Sequence, residues 1–116
     1  MKDIELKLEN LNIIPHSEIK GKIEVRYQGR YDGVVINTQI LNSNQIIIYK
    51  SYNGKLISQN LSRLFISRDN MPENKAEFTA IIEFKPTEPH DVKFRVSIIQ
   101  EHKEIENDIL FGKLLV

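Results

Sequence analysis

The chain has 116 residues, 41% of them hydrophobic, with 16 Lys and Arg balanced by 16 Asp and Glu. That is one domain's length, too apolar for a disordered tail and without the basic excess of a dedicated nucleic-acid or membrane-surface binder. Cysteine is absent, which removes disulfides and thiolate chemistry.

The stretch MKDIELKLEN alternates charge with apolar residues, unlike a signal or transit peptide. No apolar run approaches the roughly 20 residues of a membrane-crossing helix, so the expected protein has no transmembrane segment and is cytoplasmic. Ile4, Leu6 and Leu8 lie on one face of a half-buried strand, with Asp3, Glu5, Lys7 and Glu9 on the other. Residues 19–27 repeat the pattern, with Lys20, Lys22, Glu24 and Arg26 outward. QGRYDG at 28–33 reads as a turn, and residues 34–41 and 46–52 as strands parted by Asn42, Ser43 and Asn44.

Asn53-Gly54 predicts a hairpin between 46–52 and 55–59, because both central positions of such a turn need positive φ. Residues 61–67 form a further apolar run, a strand or a short helical turn. Residues 68–75 read as a polar loop. Phe78, Ala80, Ile82 and Phe84 mark the inner face of the next strand, with Ile81 among the outward positions. Pro86 and Pro89 make 85–90 a loop. Val92, Phe94, Val96 and Ile98 give another inner face, residues 101–108 a charged connection, and ILFGKLLV a closing strand.

Eight or nine short strands with turn chemistry between most of them predict an all-β fold: a two-sheet antiparallel β-sandwich over residues 1–116, with an open barrel as the alternative. Gly21 sits on an inward position of its strand, where a missing side chain leaves room for a bulky neighbour from the facing sheet.

PHSEIKGKIEV at 15–25 resembles the opening of arrestin-like domains, where a turn leads into a strand with a β-branched residue, a glycine two further on, then alternating Val or Ile. Pro15, Ile19, Gly21, Ile23 and Val25 take those places, while His16 and Ser17 replace the turn glycine and the glutamate after it. The resemblance implies an arrestin- or immunoglobulin-like sandwich acting as a protein-binding adaptor. Relatives usually carry two sandwiches in tandem, and this chain has length for one.

No chemistry-bearing constellation emerges. His16, His90 and His102 lack the spacing that places two metal ligands on one face. Asp32, Asp69, Glu73 and Asp108 lie in predicted loops or connections without the paired aspartates of a calcium site. There is no nucleophile elbow and no phosphate loop, so the expectation is a non-enzyme without cofactor or metal. Lys20, Lys22, Arg26 and Arg30, with Tyr27 and Tyr31 nearby, are interleaved with Glu18 and Glu24 and read as a solvated face; nucleic acid is therefore not the expected partner.

The leading reading is a non-catalytic protein-interaction module that offers a sheet edge to a partner or to a second copy. The closing strand is its first candidate, with Ile109, Leu110, Leu114 and Val116 as contacts; the competing expectation is that this strand is core. The alternative function is a lectin-like or lipid- or calcium-binding sandwich using Tyr31, Asp32, Asp69 and Asn70 at the loop end.

Overall fold

The computed structural model describes residues 2–59 and 62–116. Among them are ten strands: β1 (Ile4–Leu8), β2 (Asn12–Ile13), β3 (Ile19–Val25), β4 (Gly33–Ile40), β5 (Ile48–Tyr52), β6 (Lys55–Gln59), β7 (Arg63–Ser67), β8 (Lys75–Ile81), β9 (His90–Gln100) and β10 (Lys103–Leu114). They form two five-stranded sheets, β1-β3-β8-β5-β6 and β2-β10-β9-β4-β7. All neighbours pair antiparallel except β2, which runs parallel to β10.

The alternation read from the sequence decides which face is inside. Ile4, Leu6, Ile23, Val25, Tyr49, Phe78 and Ala80 from the first sheet and Val34, Ile36, Val92, Phe94, Val96, Ile98 and Leu114 from the second are buried in one core. The radius of gyration, 13.8 Å, is near the roughly 13 Å expected for a chain of this length. Within the core, Tyr49 of β5 reaches across to β4, its hydroxyl 2.8 Å from Thr38 Oγ1. Burial pushes the Tyr49 pKa up to about 12, so the hydroxyl serves as a neutral tie between the sheets.

The strand order is that of an immunoglobulin-like sandwich: one sheet built like A-B-E-D, the other like G-F-C-C′, with β2 as a short parallel strand beside G. One departure is that the chain makes the β5–β6 hairpin before it returns to lay β7 beside β4.

Turns explain where the chain reverses. Asn53 and Gly54 adopt φ of 48° and 81°, as the hairpin signal required. Ile14-Pro15-His16-Ser17 closes through Ser17 N–H to Ile14 C=O at 3.1 Å, with His16 at φ 66° in the position a glycine favours. Residues 101–108 are not a charged connection: Glu101 and His102 form a two-residue turn at φ 50° and 65°, and β10 begins at Lys103. The turn lacks Gly or Asn, so its sequence carries no signal; Asp32 Oδ2 stabilises it by accepting the Glu101 N–H at 2.8 Å.

Two short 3₁₀ turns, Arg68–Asn70 and Pro72–Asn74, replace the polar loop. The run expected at 61–67 is a strand from Arg63, and residue 61 lies outside the described residues. Gly21 does make room for a bulky ring, but from its own sheet. An added Cβ would collide with Phe78, its neighbour on β8, and lie 3.2 Å from Leu8 Cδ2.

Candidate functional site

The two outer faces differ in chemistry. On the β1-β3-β8-β5-β6 sheet, cross-strand register sets Lys7 beside Lys22 and Lys22 beside Glu77. Glu5, Glu24 and Lys75 form the next row. Lys22 pairs with Glu77 at 3.8 Å, Lys20 with Glu18 at 3.6 Å, and Arg26 with Glu5 at 3.1 Å and Glu24 at 3.3 Å. The cations that could have lined a nucleic-acid groove are thus interleaved with carboxylates, as mixed-sign solvated faces are.

On the β2-β10-β9-β4-β7 sheet the outward positions are of another kind. Register aligns Asn107, Ser97, Val35 and Phe65 in one row, Ile109, Arg95, Asn37 and Arg63 in the next, then Phe111, Lys93 and Gln39. Phe65, Ile109 and Phe111 are 49%, 42% and 52% exposed. Large apolar groups in this setting, among cations, are what a contact surface offers.

Two features give this face fixed shape. Glu104 accepts hydrogen bonds from Ser97 Oγ and Arg95 Nη2, both at 2.6 Å, and from Asn107 Nδ2 at 3.2 Å. The Ser97 hydroxyl in particular holds the Glu104 carboxyl below its ordinary range, and the ionised group pins the Arg95 guanidinium to the face. Beside it lies a shallow hollow of about 600 Å³ lined by Asp32, Val35, Ser62, Arg63, Phe65, Ile99 and His102. The Phe65 ring lies over Gly33 on β4, where an added Cβ would come within 2.7 Å of it.

The closing strand splits its predicted contacts. Leu114 is fully buried and Leu110 half-buried, both facing the core, whereas Ile109 and Val116 are exposed. Leu110 and Leu114 are therefore corrected from contact to core. Phe111, not singled out from the sequence, shares the outer face with Ile109. The strand is no free edge at its end: β2 pairs with Lys113 and Leu114, and Leu11 C=O accepts the Lys113 N–H at 2.8 Å.

The loop-end set does not converge either. Tyr31 is 3% exposed, its ring under the Arg68 guanidinium at 4.3 Å and its hydroxyl donating to Asn74 Oδ1 at 2.6 Å. It is a core residue and not a loop contact. Asp32 is committed to the Glu101 turn, the Asn70 carbonyl accepts from the Asn53 amide, and Asp69 is exposed on a 3₁₀ turn. Asp108 lies on the inner side of β10 and not in a connection. Among the described residues, no three His, Asp or Glu side chains gather as a metal site would require.

The histidines are placed apart. His90 Nδ1 lies 2.8 Å from Leu41 O with its ring against Phe84, His16 sits in its turn, and His102 lines the hollow.

Asp108 instead closes two sheet edges. Its Oδ2 accepts the Leu6 N–H of β1 at 3.0 Å, and its Oδ1 meets Lys2 Nζ at 2.7 Å. Burial alone would raise this carboxyl's pKa, but the bonds from Lys2 and Leu6 and the Lys2 charge outweigh it and hold the value low.

No protein-family model matches the chain, and no curated protein does. Solved structures do share its fold. A conjugative transposon lipoprotein from Bacteroides eggerthii aligns with a TM-score of 0.58 at 8% identity, over 97% of this chain and 96% of that one. The Salmonella SafD adhesin aligns with a TM-score of 0.56 at 10% identity over 98% of each chain. AvmM, which catalyses macrocyclization in alchivemycin A biosynthesis, aligns at 0.58 and 9% identity, over 100% of this chain and 90% of that one. At such identities the likeness is one of fold: this chain is a β-sandwich of an architecture that serves several tasks.

Proposed function

We propose that this protein is a non-catalytic protein-binding domain whose contact surface is the outer face of the β2-β10-β9-β4-β7 sheet. The observation that carries the reading is the exposure of Phe65, Ile109 and Phe111 together on that face; on the opposite face β1, β3 and β8 present ion-paired charges, and Leu56 of β6 is its exposed large apolar side chain. Apolar anchors set among pinned polar groups are the usual anatomy of a protein contact. The adhesin among the structural neighbours is compatible with this role. The arrestin-like motif at 15–25 supports an adaptor as its particular form, in the cytoplasm.

A photo-crosslinking residue placed at Phe111 or Phe65, and separately at Lys22 or Thr79, tests the proposal in native cell extract. Protein adducts are expected from the first pair and not from the second. Equal yields from both faces, or none from either, would overturn it.

A further inference from the structure

We infer that the edge of β7 that no other described strand covers pairs antiparallel with the same edge of a second copy, joining two five-stranded sheets into one of ten strands about a two-fold axis. The inference rests on the protein-binding reading above for Phe65 alone: pairing at β7 leaves Ile109 and Phe111, on β10 across the sheet, for another partner.

The main chain of β7 has an inner and an outer set of groups. Thr38 N–H donates to Ser62 C=O at 2.7 Å, and Arg68 N–H to Asp32 C=O at 2.9 Å. Antiparallel ladders alternate with period two, so Ser62, Leu64 and Ile66 turn their groups toward β4, as the Arg68 N–H turns toward Asp32 just before it. Arg63, Phe65 and Ser67 therefore aim theirs away from the sheet.

The other edges are managed. Asp108 of β10 caps β1 at Leu6, tying the two edges together, and β2 covers the end of β10. On the far side of the first sheet, β6 begins with Lys55 and its pairing with β5 is broken by a register shift. Charge and irregularity of that kind discourage pairing. β7 has neither proline nor bulge, and Arg63 is its only charge.

The edge is complementary to itself. Centred on Phe65, antiparallel pairing sets Phe65 opposite Phe65 of the second copy and Arg63 opposite Ser67. Each of these pairs exchanges two main-chain bonds. No like charges meet, and the half-exposed rings cover one another across the axis. The net charge of zero adds no overall repulsion.

Sedimentation equilibrium of the full chain, loaded from about 1 to about 300 µM to span the affinities of small interfaces, reads the result directly. The mass should climb from 13.5 kDa toward twice that value. Ser67→Asp keeps an oxygen to cap the following 3₁₀ turn and sets a carboxylate opposite Arg63. It should tighten the dimer roughly two- to thirty-fold, and Ser67→Lys should weaken it by a similar factor. Phe65→Pro removes an N–H that bonds nothing within the ladder. It should leave the circular-dichroism spectrum unchanged and abolish the dimer. A 13.5 kDa mass throughout would overturn the inference, as would Ser67 variants shifting affinity in the same direction. Crosslinks from Phe111 to other proteins on a strictly monomeric chain would defeat this inference alone and leave the proposed function standing.

Discussion

The two sheets have the same inner chemistry and different outer chemistry. Both pack Ile, Val and Phe inward on alternate residues. Outward, β1, β3 and β8 carry Lys and Glu in rows of mixed sign, whereas β10, β4 and β7 carry Phe111, Ile109, Val35 and Phe65. The inner faces supply the fold's stability. Exposed ion pairs contribute about 0–1 kcal/mol each, so the first outer face mainly keeps the sheet soluble. The second gains less for folding by leaving aromatics half-exposed than by burying them, which is why the proposed contact is placed there.

Three experiments test this division. Gly21→Val attacks the shared interior, because the new side chain would fall on the Phe78 ring. Overpacking predicts a loss of about 1–3 kcal/mol, read as a lower urea midpoint. Thr79→Val, at an outward position beside Lys20, removes only a hydrogen bond to Ser51 Oγ and should lower the midpoint less, at a cost of about 0.5–1.5 kcal/mol.

Asp108→Ala attacks the seam between the sheets. It orphans the Leu6 N–H, at a cost of about 1–3 kcal/mol. The Asp108 pKa is lowered by folding, so its contribution is complete above the unfolded value of about 3.9 and is lost as pH falls through the folded value. Urea titrations below about pH 4 should therefore show a shallower decline for Asp108→Asn than for the unmodified chain. Equal slopes would mean that the carboxylate does not hold the edges.

Phe111→Glu has the smallest expected effect on folding, within about 0.5 kcal/mol, because the ring is half exposed. It should nevertheless reduce crosslinking from position 65, which lies on the same face. A loss of stability matching that of Gly21→Val would show that Phe111 belongs to the core and would erase the contrast between the faces.

Much of this was legible in the chain itself. Side chains change sides at every residue of a strand, so Ile4, Leu6, Ile23, Val25, Phe94 and Val96 declare their burial through spacing alone. Asn53-Gly54 declares its turn because those residues tolerate positive φ. The turn at Glu101-His102 could not be read that way, because its support is the Asp32 carboxylate, 69 residues away in sequence. β2 was hidden for a similar reason: two residues have no periodicity, and only β10 makes them a strand.

The proposed contact surface is only half visible in the sequence. Ile109 was marked from the apolar closing run, but Leu110 and Leu114 from the same run face inward, and Phe65 and Phe111 had no local signal. Alternation along the backbone thus determined that two sheets form and which residues they bury. Tertiary structure decided which edges are closed and which outer face is apolar, because those properties belong to strands distant in sequence that hydrogen bonding sets side by side.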